Sequence, residues 1–167
     1  MEPIAFAAPR AAPTARAAGP GDAEELVRLR AVMLESLNPH ADDDSWQPAS
    51  VAILRRALAE PEGDLAAFVV DTPGRPGVLA ACVVGTVTQG LGSPGDHAGL
   101  GGHVFSVATD PSMRRRGCCR ACMEALLAWY RRRGVVKVDL HASQEGAPLY
   151  ASLGFRPTHA PAMRLLL

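Results

Sequence analysis

The chain has 167 residues and no formal net charge, and 48% of its residues are hydrophobic while 20% are charged. This composition is ordinary for a globular protein, and the length fits one domain with a sizeable core. The balanced charge excludes a partner held by overall charge alone, and no segment approaches the ~20 apolar residues that a membrane span requires.

The charged residues are distributed unevenly along the chain. Residues 22–71 contain eleven acids and four arginines, whereas residues 110–137 contain two acids and eight bases. The first region therefore suits a cation and the second an anion.

The N-terminal residues 1–13 are rich in alanine and proline, include Glu2, and contain no uninterrupted apolar run. They fit neither a secretory signal nor a membrane anchor, so we expect a cytoplasmic protein. We predict a flexible tail over residues 1–13 and a single domain over residues 14–167. An added strand or an oligomer contact is the alternative for the tail.

The first predicted elements are a short strand over residues 14–18 and an amphipathic helix. Asp22 fits the helix N-cap, with Glu25 at the capping-box position. The apolar stripe that follows has a helical period and stops at Asn38, which precedes a proline. Its members are Leu26, Leu29, Met33 and Leu37.

An acidic loop at residues 42–44 leads to a second predicted helix over residues 48–60. Its inward side is formed by Val51, Leu54 and Leu58. Two apolar runs follow, at residues 65–71 and 78–88, and a turn rich in proline and glycine separates them. This arrangement predicts a β-hairpin.

The second half of the chain begins with a loop of six glycines over residues 90–102, followed by a short apolar strand at residues 104–109. A helix, a strand over residues 135–141 and a short helix come next. The apolar residues 163–167 predict a final strand.

The connection between the 104–109 strand and the next helix is too short for a long loop. It contains Asp110 and Pro111, then three arginines, and then Gly117. A helix start has four backbone N–H groups without intrahelical partners and a partial positive charge, so it can bind a phosphate. Gly117 lets the backbone approach such a ligand closely, and the arginines add charge.

The helix after Gly117 has a clear apolar stripe, and Gly134 follows its last turn as a C-terminal cap. The stripe consists of Cys119, Cys122, Met123, Leu126, Leu127 and Tyr130. Arg120, Glu124, Arg131 and Arg132 lie off it.

This segment resembles the acyl-coenzyme A signature of the GNAT-superfamily N-acetyltransferases, whose pyrophosphate loop is written R/Q-x-x-G-x-G/A. The matching residues read Val107-x-Thr109-x-Pro111-x-x-Arg114-x-x-Gly117-x-Cys119. Cys119 stands where the family has glycine or alanine, which is the main departure. Residues 147–155, with the sequence APLYASLGF, resemble the family's LYxxLGF helix. The resemblance extends over residues 14–167.

The resemblance implies an α/β fold with a mixed, mostly antiparallel sheet flanked by helices. It also implies that the strands at Val104 and Val135 splay apart, so that the pantetheine arm of acetyl-CoA inserts between them. No internal repeat is visible in the sequence.

The resemblance also implies how acetyl-CoA, the co-substrate, is bound. Backbone groups of Val107, Ala108 and Thr109 bind the pantetheine amides and polarise the thioester carbonyl. The pyrophosphate loop is formed by Arg114, Arg115, Arg116, Gly117, Cys118, Cys119 and Arg120. Ser143 stands where many members have a cofactor-binding asparagine, and capping of the following helix is its alternative role.

Two residues are candidates for proton transfer. Tyr150 matches the family tyrosine that protonates the leaving thiolate, and a core tyrosine is the alternative. His103 shares the strand face of Phe105 and Val107 by alternation, next to the thioester, and some members have a catalytic histidine there. A solvent-facing histidine is the alternative, and His141 is structural. The competing bases are Glu35, His40, Asp96, His97 and water.

Other functions receive less support from the sequence. The four cysteines have no second pair or histidine partners at metal-ligand spacing, so we expect no metal site. Such cysteines are more often small buried hydrophobic residues. The alternative for Cys118, which lies at a helix start beside arginines, is a lowered thiol pKa and sensitivity to oxidation. The arginine runs lack interleaved aromatic residues, so we expect no nucleic acid partner.

We therefore predict an N-acetyltransferase that moves the acetyl group of acetyl-CoA to a primary amine by direct attack in a ternary complex. A non-catalytic acyl-CoA-binding module is the alternative, because Cys119 departs from the pattern and no carboxylate base is obvious. The acceptor is a small molecule or a peptide. The acidic loop hints at a cationic one, but a solvated loop without a ligand is its more common explanation. A homodimer is the family-level expectation.

Overall fold

The computed structural model describes residues 12–39, 43–159 and 162–166. Most of the predicted tail, His40 and Asp42 therefore lie outside the described residues. Pro13 is half-buried and lies beside Gly117, within 3.6 Å of where a side chain at that glycine would begin. No helix among the described residues is long and apolar enough to cross a membrane.

Five strands form one sheet in the order of the sequence. They are β1 (Arg16–Ala17), β2 (Leu65–Asp71), β3 (Leu79–Gln89), β4 (Leu100–Thr109) and β5 (Lys137–Leu140). Neighbours from β1 to β4 are antiparallel, and β4 and β5 are parallel. The predicted mixed, mostly antiparallel sheet and the predicted hairpin are confirmed.

Helices cover both faces of this sheet, as predicted. They are α1 (Ala23–Leu37), α2 (Gln47–Ala57), α3 (Cys118–Arg132) and α4 (Ala147–Ser152). The α1-side core contains Leu26, Leu29, Leu54, Val69, Cys82, Val84 and Ala108. The α3-side core contains Phe68, Val83, Val104, Cys122, Met123, Leu126, Tyr130 and Tyr150. Strands β2, β3 and β4 therefore have apolar residues on both faces, as covered sheets do.

Several element boundaries differ from the prediction. The first strand has only two residues, β4 begins at Leu100 within the predicted glycine-rich loop, and α2 ends at Ala57. Helix α1 ends where predicted, with Asn38 as its C-cap, although Leu37 in its last turn is exposed. In α3, Cys118 joins the buried stripe, and Gly134 has a left-handed φ of 74° after its end.

The predicted capping box at the start of α1 is wrong. Asp22 is the N-cap residue, but its side chain makes no cap hydrogen bond to the helix. Its carboxylate binds Arg16 and the Gly19 N–H instead. Glu25 binds Arg28 and the Leu79 N–H at the start of β3. Both carboxylates accept hydrogen bonds from arginines, which are stronger partners than the neutral N–H groups of a capping box.

The predicted final strand is also wrong for the part that the structure describes. Residues 162–166 have no strand, and Met163, Leu165 and Leu166 are exposed. An apolar run indicates only a preference, because a strand needs a neighbouring strand to complete its hydrogen bonds.

The predicted splay concerns β4 and β5, and their pairing stops partway along β4. The β4–β5 pairing has four residue pairs, from Gly101–Lys137 to Val104–Leu140. Strand β5 ends there, whereas β4 continues for five more residues to Thr109. The second half of β4 therefore has an edge that faces no other described strand.

Candidate active site

A β-bulge divides β4 at Ser106. Phe105 pairs with Val84 and Ala108 pairs with Cys82, so Ser106 and Val107 together oppose Val83. Ser106 has a left-handed φ of 50° and is only 5% exposed. An extra residue of this kind reverses the side-chain alternation beyond it.

Because of the bulge, the prediction that His103 shares a strand face with Val107 is wrong. Phe105 packs against the α1-side core, whereas Val107 packs against the α3-side core. The imidazole of His103 stacks on Phe105 at 6.0 Å and is therefore on the α1 side, on the opposite face from Val107. The ring of His141 lies 5.9 Å away, edge-on to His103.

The three β4 residues after Ser106 lie beyond the end of the β4–β5 pairing. Ala108 packs against the α1-side core, and Val107 packs against the α3-side core. On its other side this segment pairs with β3, through Cys82–Ala108 and Ala81–Thr109. Because backbone groups at the free edge have no β5 partner, they are available to an extended chain of amides.

A network of charges holds the turn that leaves β4. Asp110 accepts hydrogen bonds from the Ser112 N–H at 3.0 Å and from Arg28 of α1 at 2.9 Å. Arg28 also donates to Glu25 at 2.7 Å and to the Leu79 carbonyl at 3.0 Å. Three elements, α1, β3 and the end of β4, are thereby joined at one guanidinium.

The loop after this turn fits a diphosphate. Arg115 and Gly117 have left-handed φ values of 60° and 80°, and Gly117 is the N-cap of α3 without a side-chain hydrogen bond. The first N–H groups of α3 are therefore not capped by a side chain. Arg114, Arg115 and Arg116 are exposed, and within the described ranges none has a carboxylate within 4.0 Å. This donor set suits the phosphates of coenzyme A.

The predicted lowering of the Cys118 pKa is wrong. Cys118 is buried, and burial raises its thiol pKa above the ordinary value in spite of the nearby Arg116. Burial also raises the pKa of Cys119 to about 11, although a hydrogen bond with Thr109 opposes the change. Both residues are therefore thiols rather than thiolates at neutral pH. Among the described residues no group of three or more potential ligands could hold a metal ion.

Tyr150 lies beside Cys119 at the start of α3. Its side chain is 8% exposed, its ring meets Phe155 edge-on at 6.1 Å, and a side chain at Gly146 would come within 2.9 Å of the ring. Burial, with a smaller effect of Cys119, raises the pKa of Tyr150 to about 12. The phenol is therefore protonated at neutral pH. Its hydroxyl has no hydrogen-bond partner among residues 12–39, 43–159 and 162–166.

Two of the predicted cofactor-binding residues form hydrogen bonds within the protein. Arg120 donates to the Ser152 hydroxyl at 2.6 Å and so joins α3 to α4. The Ser143 hydroxyl accepts a hydrogen bond from the Gly146 N–H at 3.1 Å, just before α4 begins. This bond lies in the turn before α4, whose N-cap residue Gly146 has no side-chain cap, so both roles of Ser143 stay predictions.

Three of the competing bases, Glu35, Asp96 and His97, lie in the described part of the chain. Asp96 accepts a hydrogen bond from the Gly99 N–H at 3.0 Å within the glycine-rich loop and lies 4.0 Å from Lys137. Glu35 is exposed near the end of α1, and His97 is exposed in the loop.

A comparison with sequence families identifies the chain. The model of the Acetyltransferase (GNAT) family matches residues 26–155. The chain belongs to this family. No curated protein matches it.

Solved structures from several organisms are similar to this GNAT chain. A GCN5-related N-acetyltransferase from Ralstonia eutropha is 26% identical, with a TM-score of 0.70 over 90% of this chain and 97% of the other. A predicted acetyltransferase with acetyl-CoA from Clostridium acetobutylicum is 20% identical, with a TM-score of 0.77 over 91% and 95%. Glucosamine-6-phosphate N-acetyltransferase from Arabidopsis thaliana is 16% identical, with a TM-score of 0.71 over 91% and 97%.

Sequence reasoning about this GNAT domain missed three residues near the bulge. Ser106 forms the bulge, Arg30 of α1 donates a hydrogen bond to its hydroxyl, and the guanidinium of Arg30 lies 5.9 Å over the ring of Trp46. A serine gives no signal for a left-handed backbone, which glycine or asparagine would. Arg30 and Ser106 are 76 positions apart, so only the fold brings them together.

Proposed function

We propose that this chain is an N-acetyltransferase that transfers the acetyl group of acetyl-CoA to a primary amine by direct attack in a ternary complex. The observation that carries the proposal is the separation of β4 and β5 beyond Val104 and Leu140. It leaves the β4 edge open between the Ser106 bulge and the start of α3. The open edge suits the pantetheine arm of coenzyme A, and the start of α3 suits its pyrophosphate.

Acetyl-CoA would supply an activated thioester, whose acetyl group passes to the amine while the thiolate leaves. Backbone groups of Val107, Ala108 and Thr109 hold the pantetheine amides and polarise the thioester carbonyl. Arg114, Arg115 and Arg116 bind the pyrophosphate together with the N–H groups of Gly117, Cys118 and Cys119. Arg120 supports this loop through its contact with Ser152.

The proton transfers are assigned to two sides of the sheet. His103, on the α1 side, accepts the proton that the attacking amine loses, directly or through water. Tyr150, on the α3 side, donates its proton to the sulfur as the carbon–sulfur bond breaks. Support for Tyr150 comes from its free hydroxyl and its protonated state at neutral pH.

Thiol release measured with acetyl-CoA and a panel of amines, peptides and polyamines tests the proposal. We expect release that depends on at least one amine and a product that is acetylated on nitrogen. Tight coenzyme A binding without release for any amine would favour the alternative, a non-catalytic acyl-CoA-binding module. A single domain over residues 14–167, a cytoplasmic location and a homodimer remain predictions from the sequence.

A further inference from the structure

Arg30 lies at the place where an acceptor would meet the thioester. It belongs to α1, and its Nη1 atom donates to the hydroxyl of Ser106 at the bulge of β4. The bulge lies beside Val107, whose backbone is proposed to hold the pantetheine. His103 and Phe105 lie on the same α1 side of the sheet. Arg30 therefore faces the acceptor side of the proposed reaction centre.

The charge of Arg30 has no carboxylate partner within 4.0 Å among the described residues. Two other arginines of the same region differ in this respect. Arg28, two positions earlier on α1, contacts Glu25 and Asp110, and Arg16 contacts Asp22 and Asp71. A guanidinium remains charged at every physiological pH. Arg30 is thus a half-buried cation whose counter-ion this part of the chain does not supply.

The free donors of Arg30 lie along one edge of the guanidinium. Nη1 is occupied by Ser106, whereas Nε and Nη2 make no hydrogen bond to a described residue. Two parallel N–H groups along such an edge match the two oxygens of a carboxylate. Trp46 lies against the guanidinium at 5.9 Å and orients it without using these donors.

The acids that suggested a cationic acceptor are occupied elsewhere. Asp22, Glu25 and Asp71 have arginine partners, and Asp64 binds Arg133. Asp43 and Asp44 accept hydrogen bonds from Ser45 and Gln47. With Glu24, which pairs with Arg55, five of the described acids of the first region thus have arginine partners. The positive charge of Arg30 would also favour the neutral, nucleophilic form of an amine bound beside it.

We propose that Arg30 binds a carboxylate of the acceptor, so that the preferred acceptors are amino acids or other small amines with a carboxylate near the amino group. This inference rests on the proposed acetyl transfer to an amine. It assigns Arg30 a role in specificity, and Trp46 and Ser106 hold its guanidinium in position.

Matched pairs of amines test the proposal on the unmodified protein. Phenylalanine is compared with phenethylamine, and lysine with cadaverine, because each pair differs only in the carboxylate. We expect kcat/KM to be at least ~10-fold higher for the member with the carboxylate, since hydrogen bonds between two charged groups are stronger than those between neutral groups. Aminomethylphosphonate compared with glycine distinguishes a phosphonate from a carboxylate, and a preference for the phosphonate would overturn the assignment.

Single substitutions then test whether Arg30 causes the preference for the carboxylate member. Arg30→Gln should reduce the preference for the carboxylate member to within ~3-fold, because KM rises for that member only. Arg30→Lys should retain part of the preference, because lysine keeps the charge but lacks the paired N–H donors of the guanidinium. Arg55→Gln is the matched control, since Arg55 is an exposed arginine of α2 that pairs with Glu24. Ser106→Ala removes the hydroxyl partner that holds Nη1 and should weaken the preference without abolishing it.

The outcomes separate this inference from the proposed function. Amine acetylation without any preference for the carboxylate member would overturn the role of Arg30 and leave the acetyltransferase intact. Coenzyme A binding without acetylation of any amine would overturn the proposed function itself. An equal loss of kcat/KM for both members in Arg30→Gln, with coenzyme A affinity and thermal unfolding unchanged, would make Arg30 a support of the bulge and refute the proposal. If Arg30→Gln does not fold, the unmodified protein and Arg30→Lys still decide the question.

Discussion

At the scale of single residues, the backbone of Ser106 determines which side chains share a face of β4. Its left-handed φ of 50° places Phe105 with the α1-side core and Val107 with the α3-side core. Without this residue, alternation would put both on one face. The proposed base and the proposed acid consequently approach the thioester from opposite sides of the sheet.

Tyr150→Phe tests the proposed general acid. The ring stays, so the fold and the coenzyme A affinity should be preserved within a few-fold. Both kcat and kcat/KM should fall by ~10²-fold, because the phenol acts only in the transition state. Turnover at the unmodified rate, measured where chemistry limits the reaction, would show that Tyr150 only packs in the core and that solvent donates the proton.

Gly117→Val tests the pyrophosphate loop. Gly117 has a left-handed φ of 80°, and a β-branched residue there would be strained by about 1–3 kcal/mol or would shift the loop. Gly134→Val is the matched control, because Gly134 has a φ of 74° at the other end of α3. We expect coenzyme A affinity, measured by calorimetry, to fall at least ~10-fold in Gly117→Val only. Equal affinities in the two variants would place the phosphates elsewhere.

At the scale of elements, Tyr130 of α3 joins the helix to the centre of the sheet. Its hydroxyl donates to the His103 carbonyl at 2.8 Å and lies 3.2 Å from the Thr86 carbonyl. The ring fits because two strand positions lack side chains, namely Gly85 of β3 and Gly102 of β4. Glycine inside a strand is otherwise unfavourable, so both positions mark a close approach.

Gly85→Ala should destabilise the fold. The new Cβ would lie 2.3 Å from the Tyr130 hydroxyl and 2.9 Å from Leu126, and overpacking of this kind costs about 1–3 kcal/mol. Gly101→Ala is the control, because its Cβ would meet Thr88 at an ordinary 3.4 Å. Urea unfolding should show the loss for Gly85→Ala alone. A second substitution, Tyr130→Phe, should recover part of it, and equal stability of the two alanine variants would contradict the explanation.

Some elements could be predicted from sequence because their signals are local. Helix α3 has an apolar stripe and a glycine at its end, and the β2–β3 hairpin has two apolar runs around a turn. The capping box at Asp22 and the strand at residues 163–167 failed for a common reason. Each depends on whether a residue outside the motif competes for it or pairs with it, which the motif itself does not contain.

At the scale of the whole molecule, the acids of the first region mostly stabilise the fold rather than attract a ligand. Hydrogen bonds from Arg16 hold the pKa values of Asp22 and Asp71 below their ordinary value. Bonds from Ser112, and then from Arg28, do the same for Asp110. These contacts tie β1, β2, α1 and the end of β4 together.

The pH dependence of stability follows from these lowered pKa values. The stabilisation is fully present above the unfolded carboxyl pKa of about 4 and is lost as the pH falls through the folded values. Arg16→Gln should therefore lower the free energy of unfolding by ~1 kcal/mol at pH 7 and by progressively less below pH 4. Arg75→Gln is the control, since Arg75 is exposed and pairs with no carboxylate in the described parts of the chain. A difference that persists at pH 2 would show that Arg16 acts through packing.

The sequence by itself determined the family and the order of the main elements, because the proposed pyrophosphate loop, α3 and the Tyr150 motif are contiguous segments whose geometry follows from local chemistry. The tertiary structure decided the face on which His103 lies, the proximity of Tyr150 to Cys119, and the meeting of Arg30 with Ser106 and Trp46. These relations join residues far apart in the chain across a bulge and a sheet. They depend on register and packing, which no local pattern of residues specifies.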